Sequence, residues 1–306
     1  MRVSSLYLPS LMNQSLERSG NAIYNLQEQV SSGRKINQPS DDPIVSAQLI
    51  NLQRESREIS QYQSNIKRIS TSFSQQETQV SAILSQTDLI HGDLVSAANS
   101  TNSTVDLKSL SQTIDGKIEA IVASLNQKNE DGHAMFAGTM TDHQAVILDP
   151  QTGRYYYNGN EEQRVSTVAN GINIAENTLM GDAFSKSGST LDVLNTLAAL
   201  SQKMKLPKQT VSGCLSDINA QIVLVDQCAK NLGGKLTDLG IRQNRLTQLD
   251  DAHTDIATFG KLAIEDLVNT DSVQANGDIN LYKMSIQASE MTYMKISQLS
   301  LFNYMD

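Results

Sequence analysis

The chain has 306 residues, a formal net charge of −9, no Trp, 5% aromatics and five prolines. The charge divides evenly, −3 in each of 1–137, 138–190 and 191–306, so no segment offers the basic face that nucleic acid requires. No apolar run approaches the roughly 18–20 residues that cross a bilayer, and Pro9 and Ser10 cut short Leu6-Tyr7-Leu8, so neither membrane insertion nor a cleaved signal peptide is expected.

Near the front, Met12, Leu16, Ser19, Ile23, Leu26 and Val30 form one helical stripe that ends at Ser31-Ser32-Gly33, with Gly33 suited to a left-handed cap. A second helix starts where Asp42 can cap and Pro43 can occupy the first helical position, where its missing N–H costs nothing. Its stripe steps by threes and fours through Ile59, Tyr62, Ile66, Ile69, Phe73, Gln76, Val80, Ile83, Thr87, Ile90, Leu94 and Ala97, a heptad seam on a rod roughly 85 Å long. After the polar stretch 99–104 comes a shorter seam at Leu107, Leu110, Ile114, Ile118, Ile121 and Leu125.

The pattern then changes. Ala145 to Leu148, Arg154 to Tyr157, Arg164 to Val168 and Ile172 to Ile174 are short β-prone runs separated by Asp149-Pro150, Asn158-Gly159 and Asn170-Gly171, which supply tight reversals. The helical pattern returns at Ile218, Ile222, Val225, Ala229, Leu232, Leu236 and Leu239, and continues less strictly through Leu246, Leu249, Ile256, Ala263 and Leu267. Gly233-Gly234 is expected to mark a weak point or bend. Beyond the polar break 269–278, Ile279, Tyr282, Ile286, Ser289, Tyr293 and Ile296 make a last stripe. The two end helices are marginal alone and have each other as the obvious partners.

These elements predict a mainly α protein: a long antiparallel helical bundle or coiled coil formed by both chain ends and arms, with a small inserted β-rich outer domain. The division is 1–42, an N-terminal assembly helix and signature segment; 43–137, the N-terminal arm; 138–190, the insert; 191–268, the C-terminal arm; and 269–306, the C-terminal assembly helix.

Chemistry is scarce along the chain. His91, His133, His143 and His253 stand in no metal-ligand spacing, and no nucleophile elbow, phosphate loop or dinucleotide fingerprint is present. Asp41-Asp42 invites a metal or acid–base reading, yet the cap accounts for Asp42. Cys214 and Cys228, about 21 Å apart if on one helix, cannot pair within the chain; they read as core thiols, with an intermolecular or redox role as the alternative. No cofactor, metal or catalytic residue is expected.

The stretch from Val30 to Pro43, with Ser32, Gly33, Arg34, Asn37, Asp41, Asp42 and Pro43, resembles the N-terminal signature shared by flagellins and the hook-filament junction proteins of bacterial flagella. Leu239, Gly240, Asn244, Arg245 and Leu246 are similar to the matching C-terminal arm motif. Pro43 after the double Asp is as in junction proteins, where flagellins continue with small residues. The stretch from Gly132 to Thr139 looks like the approach to the junction proteins' outer domain, although His133 stands where an aromatic is frequent, and the stretch from Lys295 to Met305 looks like their C-terminus. The resemblance covers about 1–140 and 190–306. It implies an extracellular structural subunit, not an enzyme, exported unfolded through the flagellar type III route without a cleaved signal peptide. It further implies a ring of copies between a first hook-associated junction protein and flagellin, and a cytoplasmic export chaperone on the C-terminal region. Met12, Leu16, Ile23, Leu26, Val30, Ile279, Tyr282, Ile286, Tyr293 and Ile296 are then the expected assembly residues. A flagellin is the first alternative; a cytoplasmic coiled-coil scaffold, or an enzyme carried on the insert, has less to support it.

Overall fold

A computed structural model describes residues 7–99, 104–185, 191–207 and 209–302. Their elements run α1 (Tyr7–Ser32), α2 (Pro43–Asn99), α3 (Thr104–Leu125), β1 (Val146–Leu148), β2 (Tyr155–Tyr157), β3 (Val165–Ala169), β4 (Ile172–Ala175), α4 (Gly181–Phe184), α5 (Asp192–Met204), α6 (Val211–Val268) and α7 (Ser272–Phe302). The expected mainly α architecture with a small strand region is what forms.

The chain makes two compact units, Ile59–Thr254 and the pair Met1–Glu58 with Asp255–Asp306. Both α2 and α6 run through the two. The unit boundaries thus fall inside long helices. Caps and polar breaks mark where the backbone stops being helical, whereas a unit ends where the neighbours of a continuous helix change.

In the Ile59–Thr254 unit the α2 seam is buried at every position except half-buried Tyr62. Its two polar members each donate a hydrogen bond within the core, although Gln76 Oε1 is buried without a partner. Thr87 Oγ1 donates to Ile83 O at 2.8 Å, and Gln76 Nε2 donates to Glu176 O at 2.8 Å. The α6 seam runs Cys214, Ile218, Gln221, Val225, Cys228, Leu232, Leu239, Leu246 and His253, alternating fours and threes and then taking three full heptad steps. Both cysteines are free, buried members of it, and burial pushes the Cys228 thiol up to about 12. Gln63 Nε2 to Thr254 Oγ1 at 3.1 Å, Gln243 to Ser70, and the Tyr62–His253 ring stack show that α2 and α6 run antiparallel here. Gly233-Gly234 does not break α6, because the seam on both sides is covered and holds the helix through them.

Helix α5 was not expected from the sequence, where 191–268 reads as one arm. It wedges between α3 and α6: Ser201 Oγ donates to Ser111 O at 3.2 Å, Lys205 pairs with Asp115, and Lys203 pairs with Asp217 at 2.6 Å.

The β region forms two separate antiparallel hairpins, β1–β2 and β3–β4, close to the runs read from sequence. Ala145, Val146, Val168, Ile174 and Phe184 belong to the same continuous hydrophobic core as α2, α3 and α6. The insert is therefore packed into the larger unit and contributes to its core. A stretch of 134–139 with Ala134, Met135, Phe136 and Ala137 buried closes this side. Tyr157 donates its hydroxyl to Phe136 O at 2.7 Å, and burial raises that phenol to about 12. Gly138 has φ 72, and a Cβ there would lie 2.4 Å from Asn160 O, so the close approach of the two backbones requires glycine. His133 is half exposed on this segment, outside the packing.

Phe73 is 1% exposed at the middle of the α2 seam. Phe73→Ala is expected to cost about 3–5 kcal/mol, seen as a lower urea midpoint of the purified chain with an unchanged slope.

Candidate assembly surface

The unit containing both chain ends is built on a tied elbow. Helix α1 stops at Ser32 because Gly33 adopts φ 70, a left-handed conformation that other residues resist. The chain then passes Arg34, which bridges Asn269 in antiparallel fashion. Lys35 N donates to Val268 O at 2.6 Å and Thr270 N to Gly33 O at 3.1 Å, so the linker after α1 is bonded to the linker before α7. Gln29 Nε2 adds a bond to Lys35 O at 2.9 Å, and Ser32 Oγ accepts from Arg34 N at 3.2 Å.

Two aspartates divide the rest of the turn between them. Asp41 Oδ2 accepts from Asn37 N at 3.0 Å and Gln38 N at 2.9 Å, closing the loop. Asp42 Oδ1 accepts from Ile44 N at 3.1 Å and Val45 N at 3.0 Å, the N-cap read from sequence, worth about 1 kcal/mol. Asp271 does the same for α7, accepting from Val273 N at 2.9 Å and Gln274 N at 3.1 Å. The sequence reading missed this cap, placing the whole polar stretch 269–278 outside a helix. The Asp followed by helical residues was the available signal.

Beyond the elbow α1 and α7 pack together along their lengths. Ala22, Asn25, Leu26 and Gln29 face Asp278, Leu281, Tyr282 and Ser285 across a groove of about 630 Å³. Further along, Leu11, Met12 and Ser15 face Ser285, Ala288, Ser289, Thr292 and Tyr293, so the pair is antiparallel. Of the residues expected to assemble, Ile279 is buried and Met12, Leu16, Ile23, Leu26, Val30, Ile286 and Tyr293 are half-buried, while Tyr282 is exposed. The side chain of Ile296 lies outside the described residues.

Helix α7 has a second apolar face, which sequence reading did not find. At 100° per residue, Val273, Met284, Met291 and Met294 cluster on the side away from Ala275, Ile279, Ile286 and Tyr293, and they are 55–84% exposed. The stripe was hidden because a helix apolar on two faces has little net amphipathicity. In the same unit Ile44 and Ile50 on α2, and Ile256, Phe259 and Leu262 on α6, are exposed as well. The row that continued through Ile256 and Ala263 in the sequence is thus uncovered there.

In the larger unit the signature residues of α6 separate by face. Leu239 and Leu246 are buried, whereas Gly240, Asn244 and Arg245 are exposed. Arg242, between them, pairs with Asp238 and donates to Ala175 O at 3.4 Å and Asn177 O at 3.3 Å. Since Gln76 holds Glu176 O, three successive carbonyls after β4 are gripped from two helices. Glu176 itself receives Arg68 Nη2 at 2.7 Å and the Ser166 hydroxyl. Burial pushes its carboxyl up, but Arg68 and Ser166 as donors, with the charges of Arg68 and Arg164, outweigh this and leave it below the ordinary value.

No three His, Cys, Asp or Glu side chains converge among the described residues. The groove beside Glu176, about 590 Å³, is lined by Arg68, Gln75, Glu130 and Asp131 among others, and its acids already have partners: Gln75 Nε2 donates to Glu130 at 3.0 Å.

Long heptad-patterned helices, with the two chain ends paired and large apolar side chains exposed on the same unit, define a helical structural subunit. Residues 3–141 match the bacterial flagellin N-terminal helical region. The flagellar hook-associated protein 3 of Salmonella typhimurium is 25% identical over 317 residues, covering 99% of both chains, and that of Escherichia coli is 23% identical over 90% of each. A solved flagellar hook-associated protein from Vibrio parahaemolyticus is 30% identical with a TM-score of 0.67, spanning 75% of this chain and all of that one. The chain belongs to the flagellar hook-associated protein 3 family, structural proteins of the hook-filament junction of the bacterial flagellum, and is not an enzyme. The flagellin and cytoplasmic-scaffold readings are not favoured, since the relatives that align along nearly the whole chain are hook-associated proteins.

The Glu176 hub makes the larger unit sensitive to acid. A carboxyl held below its unfolded value of about 4.3 contributes stability that is full above that value and lost as pH falls through the lower folded one. Glu176→Gln should flatten the dependence of unfolding free energy on pH below about pH 4.3, measured by urea titration at stepped pH, while the wild type loses stability over that range.

Proposed function

We propose that the unit containing both chain ends is the surface through which copies of this chain join one another in a ring and meet their flagellar neighbours, and that burial of its open apolar side chains drives docking. The observation that carries this is the set of large apolar residues standing exposed on three helices of one unit: Ile44 and Ile50, Phe259 and Leu262, and the outer stripe of α7. Scattered single residues of this kind need no explanation, but several in one small unit mark an interaction site. Burying each is worth about 1.5–3 kcal/mol, enough for a few to hold a subunit in place.

The inner stripe, Met12, Leu16, Ile23, Leu26 and Val30 with Ile279, Tyr282, Ile286, Tyr293 and Ile296, serves first to pair the two ends, and the outer residues serve docking. The signature residues support this division: Gly33, Asp41 and Asp42 shape the elbow, while Gly240, Asn244 and Arg245 present a polar face. The neighbours are a first hook-associated junction protein on the hook side and flagellin on the filament side. The chain reaches them extracellularly, after unfolded export by the flagellar type III route without a cleaved signal peptide, with a cytoplasmic chaperone on the C-terminal region beforehand. No cofactor enters any of these steps.

Polar substitution on the outer residues should disable docking without unfolding the protein. Val273→Asp/Phe259→Asp changes two side chains that are 84% and 71% exposed, so the melting midpoint of the purified variant should equal that of the wild type. In a strain deleted for this chain the variant should fail to restore filaments, with flagellin shed into the medium. Normal filaments and motility from the double variant would mean that these residues face no partner.

A further inference from the structure

We propose that Met284, Met291 and Met294 form an oxidation site on α7, by which peroxide-class oxidants switch off docking of the chain ends. The second half of this inference rests on the docking role given above to the outer stripe; the first half does not.

The methionines of the described residues fall into distinct groups. Met135, Met180 and Met204 are 5%, 1% and 1% exposed in the core of the larger unit, and Met12 is half-buried against α7. Met140 is exposed at 37% on a loop. Met284, Met291 and Met294 are exposed at 57%, 56% and 55%, all on one face of one helix, at separations of seven and three residues. A peroxide must reach the sulfur from solvent, so these three thioethers are the ones that react first.

The reaction balances without further reagents. A sulfur lone pair attacks one peroxide oxygen, an S–O bond forms as the O–O bond breaks, and the released hydroxide takes the proton from the new sulfur-bound hydroxyl to leave as water. Sulfur is oxidised by two electrons and the peroxide reduced by two. The product is a polar sulfoxide where an apolar side chain stood. Solvated, it costs the folded chain little, because none of the three packs in the α1–α7 seam. On docking, each S=O must be stripped of water or find a donor in a partner shaped for a thioether. The stripe is thus accessible to oxidant only while undocked, and reduction of the sulfoxides restores it.

The test uses the full purified chain and graded hydrogen peroxide. Trypsin releases 284–295, which carries all three methionines, between Lys283 and Lys295, and mass spectrometry follows its gain of oxygen against the peptides holding Met135 and Met180. Attachment to filamentless flagella from a strain deleted for this chain is read by co-sedimentation. The 284–295 peptide should gain oxygen before Met135 or Met180 does. Chain treated to that point should attach about tenfold less or worse, recover after methionine sulfoxide reductase, and keep its melting midpoint. Met284→Leu/Met291→Leu/Met294→Leu should attach equally with and without peroxide. Oxidation of Met135 and Met180 in step with 284–295, undiminished attachment of the treated wild type, or a loss that persists in the triple variant each overturns the proposal. Should the triple variant fail to attach untreated, recovery of the oxidised wild type by the reductase decides: recovery supports the site and no recovery refutes it. Normal attachment by Val273→Asp/Phe259→Asp sinks the docking role itself, whereas failure of that variant beside undiminished attachment of oxidised wild type sinks only the methionine site.

Discussion

A long helix in water needs cover over much of its apolar stripe, and that constraint organises this chain. Helices α2 and α6 have 57 and 58 residues, far beyond what propensity sustains alone. From Ile59 to Ala97, and from Cys214 to His253, their seams are covered by each other, by α3 and α5, and by the two hairpins. Outside that span the same helices continue with Ile44, Ile50, Phe259 and Leu262 in solvent. Hydrogen bonding within the helix is uniform along both, so what changes at 58/59 and 254/255 is cover. The larger unit completes its own core, and the smaller one carries apolar surface that another molecule can complete.

Polar chemistry sets where the chain reverses. Gly33 ends α1, Asp41 closes the following loop, Asp42 starts α2, and Asp271 starts α7. The two reversals are bonded to each other through Lys35 with Val268 and Gly33 with Thr270. The pairing of the two ends therefore begins from a common origin, and each end helix finds its partner already aligned. In the larger unit Arg68, Gln76 and Arg242 grip Glu176 and its neighbours, so the strands are held against the rod by hydrogen bonds as well as by Val168 and Ile174.

How much of this could be read beforehand follows from the range of the interactions. The α2 seam, the Asp42 cap, the Gly33 stop and all four strands rest on residues within a turn or a hairpin of each other, and each lies where the pattern put it. Helix α5 has a legible stripe in Leu191, Leu194, Leu197 and Leu200 but is short enough to pass for part of an arm. The Glu176 hub joins residues about a hundred positions apart, and no local pattern announces it. The insert looked separable because turn-rich strands usually sit outside, while the burial of Val168 and Ile174 depends on which helices lie beneath them. For the assembly surface, the inner stripe of α7 was visible as a heptad row, and the outer stripe emerged only once α1 had claimed the inner one.

Held by their mutual seam and tied elbow, the two chain ends are expected to open as one cooperative unit, energetically distinct from Ile59–Thr254. Amide hydrogen exchange on the full chain and on a chain lacking residues 1–32 tests it most directly. Loss of protection throughout α7, with amides of 59–254 unchanged, is the predicted result. Undiminished protection of α7 without its partner, or loosening that spreads through the larger unit, would contradict it.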